Sequence, residues 1–221
     1  MIKNKGGEGV LWVFYGDVSA LSPEPGALPL SEYRREKLSR LRPESARKLG
    51  IGAELLLCLG LRELGLPLPP ELRVGSGGKP YLTRGRPFFS LSHSGTLAAC
   101  AISDRELGLD VQRLSPYREA LARRICTPEE RDWLLSQADR DGAFTRLWTR
   151  KESHAKATGL GMRLEFSSFS TLDTDAEYWE TRVGETCFCL CQPGIRSPER
   201  FESVELAGAA ALLSPEERKD Q

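Results

Sequence analysis

The sequence has no excess of either charge. Lys plus Arg and Asp plus Glu each number 31 in a chain of 221 residues, so the formal net charge is zero. A chain-wide basic field that would attract nucleic acid is therefore absent, and an anion-binding site has to come from a local cluster. Hydrophobic residues make up 40% and charged residues 28%. This balance is typical of a globular chain, with room for one large domain or two of about 110 residues.

Long apolar runs are also missing. No stretch approaches the ~18 apolar residues that a membrane-spanning helix needs. The first nine residues are polar and glycine-rich, and the apolar run behind them is too short for the core of a secretory signal. We therefore predict no membrane association and a cytoplasmic location.

Few side chains suit a metal centre built from cysteine and histidine. The six cysteines contain no C-x-x-C pair, and there are only two histidines. Residues 187–191 (CFCLC) place three thiols on one face of a predicted strand, with Phe188 and Leu190 on the other. We interpret these thiols as small buried hydrophobic groups in a reduced, cytosolic protein. A zinc-type site would need a second ligand cluster.

Two common catalytic motifs are absent. Residues 75–81 (GSGGKPY) predict a tight turn that presents Lys79, but the spacing is not that of a P-loop. Residues 88–95 (FFSLSHSG) predict a strand end where His93 lies between two serines, without a G-x-S-x-G elbow. The alternatives are an ordinary surface turn for the first stretch, and a structural histidine or a Ser-His hydrolase for the second.

Hydrophobic periodicity predicts an α+β chain in two similar halves, residues 1–105 and 106–221. Predicted helices span residues 31–41, 45–64, 117–125, 127–138 and 144–158. Predicted strands span residues 10–15, 88–93, 97–102, 107–114, 166–172, 178–183, 187–191 and 201–206, the last four as an antiparallel meander. We expect the charged tail, residues 214–221, to be frayed.

The strongest local charge lies in residues 31–50, which hold seven basic and three acidic side chains. Arginine offers a planar fork to phosphate oxygens, so the segment suits a polyanion such as a nucleotide phosphate. A solvated helix face and nucleic-acid binding are the alternatives, and the scarcity of aromatic side chains for base stacking weighs against the second. The seven basic residues are Arg34, Arg35, Lys37, Arg40, Arg42, Arg47 and Lys48.

The helix predicted from residue 144 carries a candidate catalytic pair. Glu152 and Lys156 are four residues apart and project from one side. Asp110 lies within an apolar strand and shares a face with Gln112, and burying an acid there is costly unless it binds something. An exposed ion pair and a turn-capping aspartate are the alternatives. The apolar stripe of the helix comprises Phe144, Leu147, Trp148, Ala155 and Thr158.

Four motifs now stand in a fixed order: GKP at 78–80, SHS at 92–94, G-x-D at 108–110, and W-x-x-K-E-x-x-x-K at 148–156 followed by G-x-G. Their order and spacing resemble the 4'-phosphopantetheinyl transferases, of the long type that serves peptide and polyketide synthases and primary carrier proteins. The resemblance spans about residues 33–162. It implies a pseudo-dimer of two α+β halves with the active site in the cleft between them.

The resemblance also implies a reaction, that of a holo-[acyl-carrier-protein] synthase. 4'-Phosphopantetheine would move from coenzyme A to a serine of an apo acyl or peptidyl carrier protein, with Mg²⁺ as cofactor and release of 3',5'-ADP. The expected partners are coenzyme A and the carrier, without nucleic acid, and the chain is expected to be a monomer. A non-catalytic relative that binds coenzyme A or nucleotide phosphates is the alternative.

Individual residues follow from the same resemblance. Asp110 and Glu152 match the Mg²⁺ ligands, and Gln112 stands where the family often has a further acid, so it is an additional candidate ligand. Glu152 and Lys156 match the catalytic residues. His93 and Arg47 are implied to meet the 3'-phosphate of coenzyme A. The full set of implied coenzyme A contacts is Arg47, Lys79, Pro80, Ser92, His93 and Lys156, with Lys37 and Arg40 as further candidates.

Overall fold

A computed structural model describes residues 9–172 and 177–213 of the chain. The expectations for residues 1–8 and for the tail at 214–221 lie outside these residues. The described helices are α1 (Glu32–Ser39), α2 (Glu44–Glu63), α3 (Glu119–Ile125), α4 (Pro128–Ser136), α5 (Arg140–Thr158) and α6 (Leu206–Leu213). The described strands are β1 (Leu11–Asp17), β2 (Leu72–Val74), β3 (Pro80–Leu82), β4 (Phe88–Ser94), β5 (Leu97–Ser103), β6 (Gly108–Arg113), β7 (Tyr178–Val183), β8 (Thr186–Cys191) and β9 (Arg200–Ser203).

The predicted helix ends are confirmed by their capping groups. The Ser31 hydroxyl accepts a hydrogen bond from the Arg34 amide at the start of α1. Thr127 and Glu130 form a reciprocal capping box at the start of α4. Helix α5 ends at Gly159, whose φ of 68° is a left-handed conformation that glycine adopts without steric cost.

Two sheets carry the cleft. The first has the strand order β4-β5-β1-β9, and the second has the order β6-β8-β7. Helix α2 packs on one face of the first sheet, while α5 packs on β6 and β8 of the second. Between the sheets lies a shared apolar core that includes Val13, Ala101, Leu109, Phe188 and Leu190. The long helices and the sheets thus form an α+β architecture in which each half stacks one long helix on a sheet, as expected.

The edges of the two sheets meet along β4 and β6, and they are joined by side chains. The hydroxyls of Ser90, Ser92 and Ser94 accept hydrogen bonds from the backbone amides of Leu109, Val111 and Arg113, at 2.9, 3.1 and 2.9 Å. The alternation of serine along β4 is what aims three hydroxyls at the neighbouring strand. We call this row of three hydrogen bonds the serine ladder.

Three expectations for the chain after residue 162 are wrong or incomplete. Residues 166–172 contain no strand, and Phe166–Ser168 form a single 3₁₀ turn, because Lys151 draws the carbonyls of Phe166 and Phe169 toward α5. Strand β9 is not part of a meander. It pairs in parallel with β1, with Val13 opposite Phe201, and the chain then turns into α6 at Leu206 instead of continuing as strand.

The boundary at residues 105/106 stays a prediction. Strand β9 and helix α6 return to the first half, where α6 packs against α2. In helix α5 the predicted stripe is buried at Phe144, Leu147 and Ala155, whereas Thr158 is exposed. No helix in residues 9–172 and 177–213 has the length and apolarity to cross a membrane.

Candidate active site

A cleft of about 510 Å³ opens between the two halves. Its walls come from α1, the turn between β2 and β3, strands β4 and β6, and helix α5. Nine of the candidate site residues from the sequence line it: Lys37, Lys79, Pro80, Ser92, His93, Asp110, Gln112, Glu152 and Lys156. The fold therefore brings together side chains that are far apart in the sequence, from Lys37 in α1 to Lys156 in α5.

Asp110, Ser92 and Lys156 form a closed triangle at the floor of the cleft. The Lys156 ammonium lies 2.7 Å from Asp110 Oδ1 and 2.9 Å from the Ser92 hydroxyl oxygen. The same hydroxyl donates to Asp110 Oδ1 at 2.9 Å. The contact of Ser92 with coenzyme A stays a prediction, and in the structure its buried hydroxyl hydrogen-bonds Asp110, Lys156 and the Val111 amide. The Ser92 hydroxyl thus positions the side chains of Asp110 and Lys156.

Gly108 explains why Asp110 reaches helix α5. A Cβ atom at this position would lie 1.9 Å from the carbonyl oxygen of Ser153 and 2.4 Å from the amide nitrogen of Ala157. Strand β6 therefore lies directly against the backbone of α5, and only glycine fits at the contact. Two residues farther along the strand, Asp110 faces the side of the helix that carries Glu152 and Lys156.

The carboxylates in the cleft fit a magnesium ion. Asp110 is 5% exposed, and its Oδ2 atom is buried without a hydrogen-bond partner in the described residues. Desolvation raises the pKa of Glu152, the neighbouring Asp110 raises it further, and Lys156 partly offsets the shift. An unpaired buried carboxylate oxygen beside a second, destabilised carboxylate is a donor set suited to a hard divalent cation.

The side-chain amide of Gln112 also faces the cleft, and its Nε2 atom donates to the carbonyl of Arg113 at 3.3 Å. Within residues 9–172 and 177–213, no three His, Cys, Asp or Glu side chains come together as a metal site. Two carboxylates and an amide oxygen are therefore what the described residues offer at the cleft, and the remaining ligands would be water or substrate oxygens.

The basic wall of the cleft differs from the prediction. Helix α1 contributes Tyr33, Arg34 and Lys37, with the Lys37 ammonium 4.8 Å from the centre of the Tyr33 ring. Arg34 was counted in the basic segment but not singled out as a site residue. Its Nε atom donates at 3.1 Å to Glu54, which is fully buried in α2. The signal that sequence reasoning missed is the acid within the apolar run AELLL at 53–57, because such an acid requires a basic partner.

Arg47 and Arg40 do not lie among the described residues that line the cleft. The Arg47 guanidinium donates to the carbonyls of Pro23, Leu41 and Arg42 and pairs with Glu24 at 3.2 Å. It thereby fastens the loop before α1 to the start of α2. Arg40 is an exposed residue that pairs with Glu36 one turn back on α1. Their contacts with coenzyme A stay a prediction, and in the structure both guanidiniums bind protein groups outside the cleft lining.

Lys79 and His93 lie at the cleft with different environments. The Lys79 ammonium is 3.0 Å from Glu106 and donates to the Leu107 carbonyl at 2.8 Å, so it ties the β2-β3 hairpin to the start of the second half. Desolvation lowers the pKa of Lys79, against the opposing effect of Glu106. Desolvation also lowers the pKa of His93, and the positive charges of Lys156 and Arg34 lower it further. His93 therefore lies within electrostatic reach of both Lys156 and Arg34.

Comparison with known proteins identifies a family. The family profile described as 4'-phosphopantetheinyl transferase superfamily matches residues 106–212. A 4'-phosphopantetheinyl transferase of Bacillus subtilis is 30% identical over 190 residues, which cover 82% of this chain and 82% of that protein. The 4'-phosphopantetheinyl transferase psf-1 of Bacillus pumilus is 35% identical over 185 residues, covering 76% and 79%. The 4'-phosphopantetheinyl transferase AcpT of Salmonella typhimurium is 30% identical over 188 residues, covering 82% and 91%.

The first two of these relatives match through both halves of the chain at 30% identity or more and over most of their own length. Matches of this extent require the same fold and not a shared motif alone. The chain belongs to the 4'-phosphopantetheinyl transferase superfamily.

Proposed function

We propose that the protein transfers the 4'-phosphopantetheine group of coenzyme A to a serine of an apo acyl or peptidyl carrier protein. The serine oxygen forms a bond to the phosphorus that bears pantetheine, and the bond from that phosphorus to the bridging oxygen of the pyrophosphate breaks. The leaving group is 3',5'-ADP, and the serine proton goes to a base. The observation that carries this proposal is the triangle of Asp110, Ser92 and Lys156 with Glu152 beside it.

Glu152 is the proposed base. Its raised pKa brings the carboxylate closer to the pH at which it accepts a proton effectively, and it lies one helical turn from Lys156. Lys156 is the proposed donor to the departing phosphate, because its ammonium can move from Asp110 to a phosphate oxygen in the same cleft. Phosphoryl-type transfer depends mainly on such charge placement and alignment, which requires no covalent enzyme intermediate.

Asp110 and Glu152 are the residues that would hold Mg²⁺, with Gln112 as a neutral neighbour. When bound, the ion would neutralise the pyrophosphate oxygens and favour the departure of 3',5'-ADP. Asp110 contributes a fixed oxygen, because Ser92 and the serine ladder hold its strand in place. The unpaired Oδ2 atom of Asp110 supports this assignment, since a buried carboxylate oxygen without a partner is costly.

The opposite end of the cleft suits the nucleotide. Arg34, Lys37 and His93 supply the positive charge and hydrogen-bond donors there, and Tyr33 supplies an aromatic face. The hairpin turn at Gly78, Lys79 and Pro80 closes one side. A cytoplasmic monomer that binds neither membrane nor nucleic acid completes the proposal, supported by the zero net charge and by a chain that holds both halves of its own cleft.

A mass-shift assay tests the function. The protein is incubated with coenzyme A, Mg²⁺ and a panel of apo acyl and peptidyl carrier proteins, and the mass of each carrier is measured. We expect a gain of one phosphopantetheine group and stoichiometric 3',5'-ADP. Because Gln112 replaces an acid that the family often has, a non-catalytic coenzyme A-binding relative is the second candidate. Binding of coenzyme A without any carrier mass gain across the panel would favour that candidate.

A further inference from the structure

Glu54 is a buried acid that the proposed reaction does not use. It lies in the apolar middle of α2, is fully buried, and has leucines at the three positions that follow it. A leucine or methionine would fill this space with less loss of solvation, since a buried ion pair adds little stability over an apolar replacement. A carboxylate at this position therefore calls for an explanation beyond packing.

Both oxygens of Glu54 bind the first turn of α1. Oε1 accepts from the Ser31 amide at 2.5 Å, and Oε2 accepts from Arg34 Nε at 3.1 Å. Within the part of the chain that the structure describes, neither Nη group of Arg34 has a hydrogen-bond partner. The guanidinium is thus held at its inner edge, while its outer edge, the one that forks onto phosphate, stays available in the cleft.

The backbone at Gly50 in α2 also leaves room for the Arg34 side chain. A Cβ atom on Gly50 would lie 3.4 Å from Arg34 Nη1 and 3.2 Å from Leu38 Cδ2, so glycine leaves the space along which the arginine runs. The Arg34 side chain is only 13% exposed and the Glu54 side chain 0%, which makes the pair a preorganised one and not a mobile surface contact.

The position of Arg34 in the cleft indicates which anion it faces. Asp110, Glu152 and Lys156 mark the end where the pyrophosphate reacts. Arg34 lies on the α1 wall, and His93 is close enough to both ends to interact electrostatically with Arg34 and with Lys156. Coenzyme A carries one other anionic group, the phosphate on its ribose.

We propose that Glu54 is a positioning residue that fixes the Arg34 guanidinium for the ribose 3'-phosphate of coenzyme A. This inference rests on the proposed function and adds to it a determinant of substrate specificity that lies outside the four motifs. The carboxylate does not touch substrate. It removes the freedom of the guanidinium and leaves both Nη groups directed to one anion.

The test compares coenzyme A with dephospho-coenzyme A, which lacks the 3'-phosphate, in wild type and Glu54→Gln. The amide keeps the shape of the side chain but turns an NH₂ group toward one of the two donors. We expect the KM for coenzyme A to rise about tenfold, because the variant loses the equivalent of one charge-assisted hydrogen bond to the substrate. The KM for dephospho-coenzyme A and both kcat values should change by less than about threefold, because the reacting end is intact.

A matched control separates positioning from stability. Glu180→Gln removes the carboxylate of another partly buried ion pair, with Arg150 at 2.6 Å, in β7 and away from the cleft. This variant should lower the melting temperature without changing the ratio of the two KM values. An unchanged ratio in Glu54→Gln, or an equal loss with both substrates, would overturn the proposal, since a purely structural role predicts that pattern.

Arg34→Lys provides the second variant in case Glu54→Gln does not fold. Lysine keeps the charge but has no Nε–H for Glu54 to hold, so it should show the same selective loss for coenzyme A. A wild-type KM ratio in Arg34→Lys would show that any cation suffices and would refute the positioning role. Calorimetry with 3',5'-ADP and AMP reports the same contact without a carrier, so failure of the inference is distinguishable from failure of the transfer assay.

Discussion

Lys156 and Asp110 form an ion pair inside the cleft, with the ammonium nitrogen 2.7 Å from Oδ1. The other oxygen of Asp110 is buried and has no partner among the described residues. The lysine thus supplies positive charge at the carboxylate before any substrate arrives. At the proposed metal site, a magnesium ion would compete with this ammonium for the same carboxylate, so the resting ion pair would weaken metal binding.

We predict that Lys156→Met strengthens Mg²⁺ binding to the protein without coenzyme A, because the competing charge is removed. Wild type should bind Mg²⁺ weakly alone and clearly once coenzyme A supplies phosphate oxygens and a new partner for the lysine. Calorimetric titration with MgCl₂ measures both. Lys79→Met is the matched control, since that lysine also lines the cleft but pairs with Glu106. Equal Mg²⁺ affinities in wild type and Lys156→Met would contradict the competition.

Glu152→Gln should abolish efficient transfer while coenzyme A still binds. The amide neither accepts the serine proton nor holds a cation firmly, and loss of a general base typically costs about 10²–10⁴-fold in rate. Single-turnover transfer and calorimetry with coenzyme A measure the two properties. Glu165→Gln, at an exposed position beyond α5, serves as the control. Transfer by Glu152→Gln within about tenfold of wild type would exclude Glu152 as the base.

Although Glu152→Gln should lose activity, the raised pKa of Glu152 predicts that the same variant gains thermal stability. Burial and Asp110 raise this pKa in the folded protein, so the folded state binds the proton more tightly than the unfolded chain. The stabilising contribution is complete below the unfolded-state pKa and is lost as pH rises through the folded-state pKa. We therefore expect Glu152→Gln to melt above wild type at pH 7, with the difference shrinking toward acid pH. A constant difference across the pH series would disprove the linkage.

Gln112→Glu should increase the affinity of the site for Mg²⁺. Gln112 lies on the cleft side of β6, two residues beyond Asp110, and a third carboxylate there adds a charged oxygen near the proposed metal position. The Mg²⁺ concentration for half-maximal rate should fall, because the ion offsets the repulsion among the carboxylates. Titrating activity against Mg²⁺ in both proteins tests this. Coincident curves would mean that residue 112 does not face the metal.

Gly108→Ala should damage both stability and activity. The added methyl group would overlap the α5 backbone at Ser153 and Ala157, so β6 would have to move away and carry Asp110 with it. Overpacking of this kind typically costs about 1–3 kcal/mol, or a melting temperature lower by roughly 2–12 °C in a chain of this size. Gly208→Ala is the control, because its methyl group would meet only side-chain atoms of Glu205 and no backbone of a neighbouring element. Equal melting temperatures for the two variants would argue against a close β6–α5 contact.

Periodic patterns and caps gave the elements that local sequence controls. The capping box of Thr127 and Glu130 and the αL glycine after α5 are determined within a few residues, so both ends were predictable. The parallel pairing of β9 with β1 was not, because its partner lies almost two hundred positions away. Residues 166–172 have a strand-like composition, but the buried Lys151 binds the carbonyls of Phe166 and Phe169 and so sets their conformation. Lys151 in turn pairs with Glu130 of another helix, a tertiary contact that local sequence does not reveal.

The candidate site also contains residues that the sequence predicted and residues that it did not. The motifs placed Asp110, Glu152, Lys156 and His93 in one cleft. They did not distinguish Arg34 from Arg47, because both are arginines in one basic segment. What separates them is the direction of each guanidinium, which Glu54 sets for one and three carbonyl groups set for the other.

In the serine ladder, β4 and β6 are joined by hydrogen bonds from backbone amides to side-chain hydroxyls, whereas an ordinary strand pair is joined from backbone to backbone. The ladder's amide protons at Leu109, Val111 and Arg113 are bound to rotatable hydroxyls, which a water molecule can replace one at a time. A small separation of the two halves along β4 and β6 would therefore break these three bonds and leave every backbone-to-backbone ladder within each sheet closed. Deuterium uptake at these three amides becomes a local gauge of cleft opening, and slower uptake after coenzyme A is added would report the two halves closing on it.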